Sequence, residues 1–175
     1  EKVTYKPSPT SLQQWSWCVE EIKYCSRWAE EFGVVLALQN HPPVIRLGYE
    51  DVLQMVKEIG EDSVKLCLDA PLLGCQDDEY VREAVQACRN LIVLSHYGSL
   101  EFDETISGEV ILQSRRASPP TNYPVFVQEL KKIGYKGVLS SEECSPVLEN
   151  HQYADIETVD RHVRAGLKYM RKLVS

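Results

Sequence analysis

Between Trp15 and Phe32, apolar residues recur three and four positions apart: Trp15, Cys18, Val19, Ile22, Cys25, Ala29 and Phe32. That period predicts a helix with one apolar face. Ser11 or Thr10, after Pro9, supplies a cap at its start, and Gly33 ends it. Residues 34–38 (VVLAL) then form an unbroken apolar run, as in a strand covered on both faces. The pattern repeats: a helix over 49–59 stopped by Gly60, a strand over 64–68 (VKLCL), a helix over 78–88 with Asp77 or Asp78 at its start, and a strand over 91–95 (LIVLS). A helix over 125–133, a strand over 137–141 (GVLSS) and a helix over 158–174 complete it.

Two polar connections interrupt this rhythm. Residues 97–124 contain Gly98, Gly108, Pro119, Pro120 and Pro124, with one short extended piece at 110–112. A connection of that length in a packed domain is usually functional. Residues 1–10 and 144–157 read as loops. The order is strict helix–strand alternation with apolar strands, which means parallel βαβ units with right-handed crossovers. An open doubly wound sheet and part of a barrel both fit. No glycine-rich phosphate loop follows any strand, so a nucleotide-binding sheet has no support.

Composition narrows the partners. The 175 residues are 43% hydrophobic, 26% charged and 9% aromatic, which are globular values. Apolar runs of about five residues are far short of the roughly 20 that span a bilayer, so no membrane partner is expected. Lys and Arg number 19 against 26 Asp and Glu, a net charge of −7, which leaves no basic stripe for nucleic acid. The six cysteines form no CxxC pair and read as small core residues of a protein in a reducing, cytoplasmic compartment. The chain begins at Glu1 without a leader-like segment and reads as internal to a longer product.

The chemistry sits at the strand ends. The first strand ends in Gln39-Asn40-His41, the second in Asp69, the third in His96 and the fourth in Glu142-Glu143. In parallel α/β folds the C-terminal ends of the strands are where sites are built. Two carboxylates, an imidazole and an amide oxygen make a mixed O/N donor set, suited to Mn2+, Mg2+, Co2+, Fe2+ or Zn2+. Such an ion polarises a carbonyl or stabilises an enediolate, with Glu142 or a neighbouring carboxylate expected to move the proton.

The segments LALQNHPP (36–43), VKLCLDAPL (64–72), LIVLSHYGS (91–99) and IGYKGVLSSEE (133–143) resemble the sugar phosphate isomerase/epimerase family, whose fold is the xylose-isomerase-like TIM barrel. The resemblance runs over nearly the whole chain from about residue 12. It implies that the four strands are about strands five to eight, so that 1–175 are a single partial domain in which 1–10 are a loop and 11–175 form the C-terminal half of a TIM-like (β/α) barrel. A full barrel needs about 250 residues. It further implies that Gln39, Asp69, His96 and Glu142 bind one divalent metal ion, that the substrate is a small sugar or sugar phosphate, and that the reaction is isomerisation or epimerisation through an enediolate.

The chain departs from that pattern at three places. The first family Glu is Gln39, which takes no proton at neutral pH, so symmetrical two-base epimerisation is not expected. His41, two residues on, is the candidate replacement base beside Glu142. Leu72 and Phe102 stand where ketose 3-epimerases carry a His and an Arg. One-base chemistry follows as the expectation, either aldose–ketose isomerisation or elimination by a keto-sugar lyase, with a non-catalytic sugar-binding barrel as the other reading. An abasic-site nuclease would need more His than the four present and a basic surface. Glu143 is expected at the surface or behind the site, Arg115-Arg116 in solvent, and His151 and His162 exposed. Lys65 is expected on the face of Cys67 and Asp69, either as a member of an internal ion pair or as a group behind the metal ligands. Trp15, Trp17 and Trp28 are expected to pack the first helix on the barrel. The two open sheet edges predict a homo-oligomer, or a missing N-terminal half that covers them.

Overall fold

The computed structural model describes residues 11–42, 46, 48–98, 102–105, 107–112, 119–142, 148–149 and 152–175. Glu143, Cys144, Arg115, Arg116 and His151 lie outside them. Helix α1 (Ser11–Phe32) leads into β1 (Leu36–Gln39), α2 (Glu50–Ile59), β2 (Val64–Cys67), a 3-10 turn (Ala70–Leu72), α3 (Asp78–Cys88) and β3 (Ile92–Gly98). A hairpin of β4 (Phe102–Glu104) and β5 (Val110–Leu112) follows, then α4 (Tyr123–Lys132), β6 (Val138–Glu142), the short pair β7 (Leu148–Glu149) and β8 (Gln152–Tyr153), and α5 (Ile156–Val174). β1, β2, β3 and β6 form one sheet in that order, parallel at every pairing. The parallel βα units expected from the alternation are what the described residues build, with the four parallel strands that the resemblance implies for half a barrel.

The helices form because each carries an apolar stripe and a stop. Gly33 (φ 65°) and Gly60 (φ 72°) take the left-handed conformation that ends α1 and α2. Asn122 caps α4 by accepting from the Val125 amide at 3.4 Å, and Asp155 caps α5 through the Thr158 amide at 2.9 Å. The core lies between the sheet and the helices: Val52, Val56 and Ile59 of α2, Val64 and Leu66 of β2, and Val81 and Val85 of α3 are all buried. Glu129 of α4 is buried with them and bonds to Lys132 at 2.5 Å and to the Gln86 amide at 3.1 Å.

Several expectations change. The run at 34–38 is not covered on both faces: Val34 and Val35 are exposed and precede β1. The long connection is not plain loop, because β4 and β5 pair within it and Phe102 is fully buried against Tyr97, Tyr123 and Tyr169. His162 is buried rather than exposed, its Nδ1 donating to the Phe102 carbonyl at 2.6 Å. Gly166, one turn along α5, lets the hairpin sit close; a Cβ there would lie 2.9 Å from the Phe102 ring. Trp17 and Trp28 are half-exposed, and Trp15 ties α1 to α2 by donating to Glu58 at 2.9 Å. Only Cys67 and Cys88 among the described cysteines are core residues, since Cys25 is exposed.

Candidate metal centre

Parallel pairing gathers the strand ends at one edge of the sheet. Gln39 closes β1 opposite Cys67, and Gly98 pairs with Glu142, the last residue of β6. β3 runs three residues past the expected strand end, so His96 projects from within it. Between β2 and β3 the register shifts at Leu66/Cys67, from Leu66 opposite Ile92 to Cys67 opposite Leu94. That extra residue in β3 sets its later residues back by one, so that His96 rather than Ser95 comes level with Asp69.

Asp69 is the hub, at 1% exposure. Its Oδ1 accepts the His96 backbone N–H at 2.6 Å and the Cys67 thiol at 3.3 Å. Its Oδ2 accepts Gln39 Nε2 at 2.6 Å and lies 3.1 Å from His96 Nδ1. β1 has already ended at this level, so the main chain of Asp69 needs other partners. Asn40, fully buried, supplies them: its Oδ1 accepts the Asp69 N–H at 2.8 Å and its Nδ2 donates to the Asp69 carbonyl at 3.2 Å. Glu142 completes the group from the open side, with Oε2 3.0 Å from Gln39 Nε2 and 3.7 Å from His96 Nδ1.

Gln39, Asp69, His96 and Glu142 are thus brought together. His41 is not: its ring is exposed and its Nδ1 donates to the Pro42 carbonyl at 2.6 Å, with no bond to the cluster among the described residues. Lys65 is half-buried and makes no ion pair among the described residues, so of the two places expected for it the ion pair is not seen. Two participants escaped the sequence reading. Asn40 was visible only as the middle of Gln39-Asn40-His41. Cys67 reads as core, yet its sulfur lies 3.4 Å from His96 Nδ1. The signal was its position two residues before Asp69, which puts both on one face. Burial, then the Asp69 charge, pushes the Cys67 thiol far above its ordinary value, so it is a neutral donor here.

The donor set fits a divalent cation. Asp69 and Glu142 offer carboxylate oxygens, His96 offers Nδ1 and Gln39 an amide, while Cys67, Asp69 and His96 each present a donor atom within 4.8 Å of the others. No Lys or Arg pairs with Asp69 or Glu142 among the described residues. A buried carboxylate without a cationic side chain is costly unless donors or an ion answer it.

The sequence profile of the xylose isomerase-like TIM barrel matches residues 3–173. The chain belongs to that family. Solved structures of similar fold include D-psicose 3-epimerase with D-tagatose from Clostridium cellulolyticum H10, at 18% identity and TM-score 0.69, covering 99% of this chain and 61% of that one. The E. coli 3-keto-D-glucoside 4-epimerase matches at 12% identity and TM-score 0.67, over 95% of this chain and 57% of that one. The IolI protein with a bound zinc atom matches at 19% identity and TM-score 0.63, over 99% and 60%. These likenesses establish the xylose isomerase-like fold, of which this chain spans about three fifths of the neighbours' length. A comparison with curated protein sequences finds no match. Among the described residues no helix is long and apolar enough to cross a membrane.

Proposed function

We propose that this chain carries the metal-binding half of a divalent-metal-dependent sugar isomerase or epimerase, with Glu142 moving the proton beside the substrate carbonyl. The observation that carries the reading is the convergence of Gln39, Asp69, His96 and Glu142 from four strand ends onto one point. Sugar epimerases and a zinc-holding protein among the structural neighbours support it. Asp69, His96, Glu142 and the Gln39 amide oxygen would hold the ion, one of Mn2+, Mg2+, Co2+ or Zn2+. When bound, such an ion supplies Lewis-acid polarisation of a carbonyl.

The remaining chemistry belongs to side chains. Glu142 is about a third exposed, more than His96 or Asp69, so its carboxylate reaches a substrate carbon that Asp69 cannot. It takes the proton next to the carbonyl, the substrate electrons pass to the carbonyl oxygen, and an enediolate results. Returned to the neighbouring carbon, the proton gives isomerisation; with loss of a β-hydroxyl instead, the outcome is that of a keto-sugar lyase. The amide at Gln39 favours such one-base routes over a pair of opposed carboxylates. In the full-length protein, deuterium exchange from solvent into keto sugars tests this. Exchange is expected with a stoichiometric divalent ion, and Glu142→Gln should reduce it by about 100-fold or more. A wild-type protein that binds sugar without exchange would instead be a non-catalytic sugar-binding barrel.

A further inference from the structure

The Gln39 amide occupies the middle of the cluster. Nε2 lies 2.6 Å from Asp69 Oδ2, 3.0 Å from Glu142 Oε2 and 3.5 Å from His96 Nδ1. An amide nitrogen carries two hydrogens, so it donates to both carboxylates at once. The reverse orientation would set its oxygen against two carboxylate oxygens, acceptor against acceptor. The orientation therefore follows from the neighbours' chemistry. Both acceptors otherwise lack a cationic side chain among the described residues.

We infer that Gln39 is a built-in substitute for the cation. Its Nε2 holds the cluster closed in the metal-free chain, and an ion is admitted when the amide turns to present Oε1. Gln39 thereby sets the affinity of the site. A carboxylate at position 39 would bring three anions to one point, whereas the amide leaves two, and affinity for divalent ions rises with the count of charged ligands. The second half of this inference rests on the metal reading above; the first half concerns the metal-free chain alone.

Thermal unfolding and calorimetry with Mn2+ test it, using wild type, Gln39→Met and Gln39→Glu. In chelator both variants should melt below wild type. Gln39→Met keeps the volume but loses the donor, and Gln39→Glu falls further because carboxylates crowd. With Mn2+, Gln39→Glu should bind on the order of tenfold more tightly than wild type, and its melting temperature should rise more. A Gln39→Glu chain that folds only with Mn2+ counts in favour. Wild type melting no higher than Gln39→Met in chelator overturns the substitute role. Equal Mn2+ affinity in wild type and Gln39→Glu overturns the affinity role. If Mn2+ binds none of the three, the metal reading and the affinity role fall together, while the melting order in chelator still decides the first half.

Discussion

Val64 on β2 is 0% exposed, and Val138 on β6 is 62% exposed. Both begin strands of one parallel sheet, and both are valines. The difference is what lies over them: Val64 sits in the core that α2 closes, whereas β6 is an edge strand. Leu66 repeats the first case at 0%, and Val34 and Val35 repeat the second at 52% and 53%. Residue type alone does not decide burial; a covering element does. In this chain the helices cover the outer face of the sheet, while the inner end of the strands is given over to polar side chains that satisfy one another.

Truncation should separate the two regions most sharply. Leu66→Ala should cost about 2–5 kcal/mol in chemical denaturation, since nothing can refill the space beneath α2. Val138→Ala should change stability by less than about 0.5 kcal/mol. Similar costs at both positions would mean that β6 is covered in solution. Next in size is Asn40→Ala, at about 2 kcal/mol or more, because it strands the buried N–H and C=O of Asp69. A neutral result would show that water replaces Asn40 at the strand ends. A smaller effect than that of Asn40 lies in the outer layer. The Glu129 carboxyl is held below its ordinary 4.5, first by its hydrogen bond to Lys132. A lowered folded value means that this stabilisation is complete above about pH 4.5 and is lost as pH falls through the folded value. Glu129→Gln should cost on the order of 1 kcal/mol at pH 7, with the gap to wild type closing in acid. Urea midpoints measured at both pH values check it.

Much of this was legible along the chain. The apolar runs located the four sheet strands, and the residues at their ends named the four members of the cluster before any contact was known. That worked because parallel strands all end at one edge, so order along the chain becomes proximity in space. The failures share a cause. His162 looked like a surface residue of a polar helix, but its burial depends on a hairpin whose anchor, Phe102, sits in a stretch without periodicity. Cys67 is core as expected, but its contacts with Asp69 and His96 have no sign along the chain until β3 is set beside it. His41 has suitable chemistry, but Pro42 gives its ring a partner of its own. Lys65 alternates onto the site's face as expected and makes no ion pair among the described residues.

The hairpin after His96 is fastened to the other end of the chain. His162 grips its main chain, Gly166 makes room for its ring, and Lys168 donates to Glu104 at 2.6 Å and to the Gly108 carbonyl at 2.8 Å. α5 therefore holds the hairpin in place, and the hairpin's Phe102 ring packs on Tyr97, the residue after His96. A change at Gly166, far along the sequence from any of the four converging residues, would press on the Phe102 and Tyr97 rings and so reach His96 through the strand it shares with Tyr97, with every one of the four untouched.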